Sequence, residues 1–179
     1  VGGATKNTGM DPSNRTLRYD PVYDEWLELS PMNASRWGLT LTAHDGLLYA
    51  IGGAKKTSSS TWIPPVVYDN VEVYDPANDS WWELPDMPTG LFGHESVVLH
   101  DEILIISGYS TSRSEKVWGF EPENGRWRKL NDLPIKLLDL AAGVLDETVV
   151  IGSGDQSSYL YYSWGTMYTG EVLTSGNIS

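Results

Sequence analysis

The sequence contains no cysteine. That excludes disulfides, thiolate metal sites, cysteine nucleophiles and any cofactor built on a cysteine. Positive charge is scarce: Lys+Arg is 12 against 24 Asp+Glu, a formal charge of −12. A phosphate backbone is grasped by clustered Lys and Arg, so no nucleic-acid partner is expected. No apolar run approaches the ~18 residues of a spanning helix, and no basic amphipathic stretch suits a membrane surface, so no membrane insertion is expected. Phenylalanine occurs twice and histidine three times. His94 and His100 share a face of one extended segment, but six residues at ~3.3 Å each separate them by about 20 Å, too far to share a metal ion. Against these scarcities stand 18 Gly, 8 Trp and 10 Tyr, with 40% hydrophobic residues. Such a chain can build a packed core. Glycine and aromatics between short apolar runs point to an all-β repeat protein.

The repeat is visible directly. Tyr19-Asp20-Pro21, Trp26 and Leu29 shift by 55 positions onto Tyr74-Asp75-Pro76, Trp81 and Leu84. The same shift carries Met32 onto Met87, Gly38 onto Gly93 and Gly52-Gly53 onto Ser107-Gly108. A further shift of 46 reaches Phe120-Glu121-Pro122, Trp127 and Leu130, and carries Ser107-Gly108 onto Ser153-Gly154. Each unit reads as four short strands. The first is Gly38–Ala43, turned by Asp45-Gly46, and the second is Leu47–Ile51, ending at Gly52-Gly53. After a variable loop comes Val71–Tyr74, stopped by Pro76, which cannot donate to a ladder. The fourth carries Trp81 and Leu84. The alternation Val71-Glu72-Val73 predicts a half-buried strand.

An apolar run, Gly-Gly, Tyr-Asp-Pro, a Trp seven residues on and then Pro-Met…Arg resembles the Kelch repeat, whose unit is one four-stranded antiparallel blade of a β-propeller. The best-matching stretch runs from Pro31-Met32 through Arg36 to Gly52-Gly53, and is similar to the Kelch domains of BTB-Kelch ubiquitin-ligase adaptors. The resemblance implies a half-blade over 1–31, blades over 36–88 and 91–134, and a degenerate blade over 137–179. That is about three and a half blades, where propellers have about four to eight. The expectation is therefore a piece of a longer propeller, completed by the rest of that propeller or by another copy.

Chemistry-bearing patterns are weak. Asp20, Asp75 and Glu121 are the strand-stopping acids of the repeat, and no facing carboxylate pair, nucleophile elbow or phosphate loop stands out. Among proteins this chain resembles, galactose oxidase needs a Cys–Tyr copper cofactor, and the plant specifier proteins need Glu-x-x-x-Asp-x-x-x-His, which is absent here. No enzyme, metal site or cofactor is expected, with a sugar-processing Kelch enzyme ranked last.

Trp26, Trp81 and Trp127 recur at one repeat position and read as packing residues. Trp62 has no equivalent and stands on the longest polar insertion, either as a binding anchor or as packing for its own loop. In Kelch relatives the partner-binding surface is formed by the loops after Gly-Gly and those between blades. Here these are 11–16, 55–65 and 109–113, and 33–37, 89–92 and 135–138. The candidate partner contacts are Arg36, Trp37, Lys55, Lys56, Trp62, Phe92 and Arg113. Arg and aromatic side chains are the usual interface anchors. For Arg36 an internal salt bridge is the alternative. The leading expectation is recognition of a partner protein or peptide through one face. The alternatives are an actin cross-linker or a filament or cell-surface subunit. Sequons at Asn14, Asn33, Asn78 and Asn177 keep a secreted or cell-surface protein beside the favoured cytoplasmic one.

Overall fold

A computed structural model describes residues 1–4, 12–55 and 66–152, together with the backbone of Thr169–Leu173. The chain is all-β among these residues and divides into two compact units, Val1–Gly90 and Leu91–Ser179.

Unit 1 holds a hairpin and a complete four-stranded sheet. The hairpin joins β1 (Thr16–Asp20) to β2 (Glu25–Leu29). The sheet has the order β3 (Thr40–His44), β4 (Leu47–Ile51), β7 (Val71–Asp75), β8 (Ser80–Leu84), all antiparallel. Its β3–β4 turn is Asp45-Gly46, both at positive φ (48° and 75°), the primed geometry that matches the twist of a two-residue hairpin. Between β4 and β7 runs a separate ladder that the sequence did not announce: β5 (Ala54–Lys55) against β6 (Val66–Val67). The glycines that end β4 serve this departure. Gly53 lies at φ 99°, and a Cβ there would stand 3.0 Å from the Trp37 carbonyl.

One expectation fails in an informative way. The alternation at Val71-Glu72-Val73 does not make a half-buried strand, because β7 is buried on both faces and Glu72 is fully enclosed. A central strand of a stacked sheet has no solvent face, so its enclosed charge, Glu72, requires an internal partner.

The hairpin and the sheet of unit 1 are joined through backbone groups. Ser30 N–H donates to Asp79 Oδ1 at 2.9 Å, and Trp81 Nε1–H donates to the Ser30 carbonyl at 2.8 Å. Tyr74 Oη–H donates to the same Asp79 oxygen at 2.7 Å. Those bonds from Tyr74 and Ser30 hold the Asp79 carboxyl below the usual carboxylate range. Burial, reinforced by Asp79, pushes the Tyr74 phenol up to about 12 from an ordinary 10.0. The folded state thus favours the neutral phenol. Its contribution is complete below pH ~10 and is lost as pH rises towards 12. Alkaline titration followed in the ultraviolet should show a phenol ionising near pH 12 with a parallel loss of unit 1 stability. Tyr74→Phe should remove both; persistence of the late step would assign it elsewhere.

Unit 2 holds a second four-stranded sheet, β9 (Glu95–Leu99), β10 (Glu102–Ile106), β11 (Val117–Glu121) and β12 (Arg126–Lys129), in the order β12-β11-β10-β9. A further sheet has three strands among the described residues: β13 (Ala141–Leu145), β14 (Thr148–Gly152) and β15 (Thr169–Leu173). Val97, Leu99, Leu104, Ile106, Val117, Leu130, Leu137, Val149 and Ile151 form one apolar cluster that spans both sheets. The two four-stranded sheets span Thr40–Leu84 and Glu95–Lys129.

Candidate binding loops

In each unit the loop that leaves the second strand meets the loop that enters the first strand, at the same end of the sheet. In unit 1, Trp37 and Ala54 exchange backbone hydrogen bonds, Trp37 N–H to Ala54 O at 3.0 Å and Ala54 N–H to Trp37 O at 2.8 Å. Lys55, the next residue, is exposed. The half-buried Trp37 and the exposed Lys55 therefore lie at one end of the sheet, one residue apart across the ladder. In unit 2 the equivalent bonds join Phe92 and Tyr109, and Tyr109 in turn bridges to Arg113. Phe92 and Arg113 therefore lie on the two sides of one strip.

Ser107 staples that strip. It is the repeat's departure from glycine and keeps the left-handed φ of 60°. Its Oγ lies 2.8 Å from Ser114 O and 2.7 Å from Leu137 O, and accepts the Leu137 N–H at 3.1 Å. The loops at 109–116 and 135–138 are thereby tied together. The Gly-to-Ser change, which reads as degeneracy in the sequence, joins two loops.

Two expected contacts are corrected. Arg36 is completely buried. Its Nη2 donates to Glu72 Oε1 at 2.8 Å, and its Nη1 donates to Asn70 Oδ1 at 2.6 Å and Gly52 O at 3.1 Å. Glu72 Oε2 accepts the Asn33 N–H at 2.6 Å, and Oε1 also accepts the Ala34 N–H at 3.2 Å. The pair thus locks the 33–36 loop onto β7. Burial pulls the Arg36 guanidinium below its ordinary value, and the Glu72 charge opposes that shift. Arg36 is the internal ion pair and not a partner contact, because no part of its fork reaches solvent. Phe92 is only 6% exposed and packs on Tyr109, with ring centroids 5.3 Å apart, so it supports the strip from beneath.

Lys56 and Trp62 lie outside the described residues, as does Asn177. Of the other sequons, the Asn14 amide donates to Met32 O at 2.9 Å and the Asn78 amide donates to Asp75, while Asn33 is exposed. Among the packing tryptophans, Trp81 and Trp127 are half-buried, but Trp26 is 66% exposed.

Glu72 went unrecognised in the sequence, although a signal existed. Arg36 and Glu72 shift onto Leu91 and Trp118, so the two ends of the ion pair become apolar together in the next repeat. Among the described residues, no group of three or more His, Asp or Glu is placed to hold a metal ion.

The Kelch motif family matches residues 36–88. Kelch-like protein 33 of Homo sapiens is 32% identical over 93 residues, 52% of this chain and 16% of that protein. Kelch-like protein 26 of Danio rerio is 32% identical over 100 residues, 56% of this chain and 15% of its own length. Kelch domain-containing protein 7A of Mus musculus is 34% identical over 110 residues, 60% of this chain and 13% of its own. The matches thus take in 13–16% of the length of these curated relatives. The solved structure of YjhT shares the fold, with a TM-score of 0.71 at 18% identity, covering 86% of this chain and 55% of that one.

Proposed function

We propose that this chain, a β-propeller-type repeat chain that carries a Kelch motif and is distantly homologous to Kelch-like proteins over about half its length, is a non-enzymatic protein-recognition module. Its ligand is a partner protein or peptide, taken by the loops at one end of the sheets. The observation that carries this reading is the β5–β6 ladder. It pairs Ala54–Lys55 with Val66–Val67, is held to Trp37 through Ala54 and leaves Lys55 exposed. Backbone hydrogen bonds that fix the two ends of a loop on a rigid scaffold suit that loop to recognition. An exposed cation at the same end of the sheet as an indole suits a segment that carries both a carboxylate and an apolar residue.

Selection of a peptide-display library on the immobilised chain tests this reading. Enriched sequences should carry both an acid and an apolar residue. Lys55→Glu should weaken them about tenfold, the effect of ~1.4 kcal/mol. Asp45→Lys, at the tight turn far along β3 from that end, should leave affinity within about twofold. No enrichment, or equal losses for both substitutions, would refute the reading.

A further inference from the structure

Positive charge in this acidic chain is gathered in one place. Residues 113–136 hold six of the twelve Lys and Arg with four acids, whereas the rest of the chain holds the other six with 20 acids. In unit 2 that segment folds back on itself. Leu130 N–H donates to Val117 O at 3.0 Å, Leu133 N–H donates to Glu115 O at 2.7 Å, and Ser114 bridges to Leu137. The result is a ribbon of two runs, 113–117 and 129–137, at the loop end of the sheet. Leu130, Leu133 and Leu137 are buried in the apolar cluster and fix its inner side. Its outer side is charged. Lys129 Nζ lies 3.2 Å and Lys116 Nζ 3.9 Å from the same Asp132 oxygen, and Lys136 Nζ lies 3.3 Å from Glu115 Oε2. Three ammonium groups thus share two carboxylates, on lysine side chains that are 43–58% exposed.

The same ribbon in unit 1 has the opposite sign. There Met87 N–H donates to Asp69 O at 2.8 Å and Leu84 pairs with Val71, the partnerships of Leu133 and Leu130 shifted by 46 positions. Lys129 becomes Glu83, Lys116 becomes Asn70 and Lys136 becomes Gly90, while Asp132 and Glu115 stay acidic as Asp86 and Asp69. Asp69, Glu83 and Asp86 are all exposed. Met87 is buried as Leu133 is, so the backbone and the inner side repeat while the outer charge reverses. Packing therefore does not call for the lysines, and exposed ion pairs of this kind add little stability.

Resting on the reading of the chain as a protein-recognition module, we infer that the Lys116, Lys129 and Lys136 face of unit 2 docks a short acidic segment of a partner protein. Each ammonium carries three N–H donors, so it can take a partner's carboxylate beside the internal one. A lysine is a point charge on a flexible stem, so the face selects for charge and spacing and not for one side-chain shape. The acidity of the rest of the chain bounds the occupant. A long polyanion such as a nucleic acid would run from the three lysines onto a chain that is acidic elsewhere, whereas a stretch of a few residues stays within their reach. The lysines are exposed, so salt screens the attraction beyond about 8 Å at physiological ionic strength.

Fluorescence anisotropy of a labelled hexaglutamate peptide, titrated with the intact protein, tests the face. Binding should be present at about 20 mM salt and weaken about fivefold by about 200 mM. Lys129→Gln with Lys136→Gln should weaken it about tenfold. Arg18→Gln with Arg126→Gln removes the same charge from β1 and from the other end of β12, and should change it by less than about twofold. Lys55→Gln in unit 1 should also stay within about twofold. All five positions are exposed, so the variants keep the fold. No binding at low salt, no dependence on salt, or equal losses for the two double variants overturns the inference. Loss with Lys55→Gln but not with the lysine pair overturns it too, and leaves the recognition reading standing on unit 1 alone. Tighter binding of an oligothymidylate of equal charge likewise overturns it.

Discussion

Glu72→Gln should destabilise unit 1 by about 3–5 kcal/mol, the cost of leaving a buried guanidinium without its counter-charge. The Arg36 side chain has no route to water, and Glu72 is the carboxylate within reach at 2.8 Å. Replacing both ends should cost less than replacing one. Arg36→Leu combined with Glu72→Gln removes the buried charge and leaves an acceptor for the Asn33 and Ala34 N–H groups. The next repeat shows that the position tolerates such a change, since Leu91 stands there fully buried. Urea unfolding followed by hydrogen exchange in β4 and β7 measures both variants. A cost below ~1 kcal/mol for the single change would mean that water reaches the pair.

Leu104→Ala should destabilise unit 2 by about 2–5 kcal/mol. Leu104 is 1% exposed at the centre of β10, inside the apolar cluster that joins two sheets, so the cavity has no simple way to close. Leu145→Ala, at the exposed end of β13, should move stability by less than ~0.5 kcal/mol. The contrast between two leucines in one unit, read from urea midpoints, checks that this cluster is the core. Equal effects would place the core elsewhere.

The repeat made most of the fold legible. Strand order, the Asp45-Gly46 turn and the stop at Pro76 all follow from local residue chemistry, and they recur at a constant offset. The candidate site was legible only by loop. Trp37 with Ala54 and Phe92 with Tyr109 are neighbours across the ladder, so parts of both loop families meet at one end of each four-stranded sheet. Individual side chains were not legible. Arg36 and Phe92 have the composition of interface anchors, yet both point inward. Residue type gives the chemistry a side chain can perform, whereas its direction depends on what is stacked above it.

The sequence alone determined that this chain is built from β-blades, because strand period, turn residues and repeat offset are properties of adjacent residues. It also determined that cysteine chemistry is closed to it. Tertiary structure decided which polar groups face each other. Arg36 and Glu72 are 36 residues apart, and Ser30 and Trp81 are 51 apart. No local rule links residues at such separations. The first pairing is set by the 33–36 loop folding onto β7 and the second by the hairpin lying against the sheet, where an unmatched buried charge or backbone group costs more than any local preference supplies. Such contacts make equivalents unequal: Tyr74 is covered and Tyr19 is open, although their hairpins share one geometry.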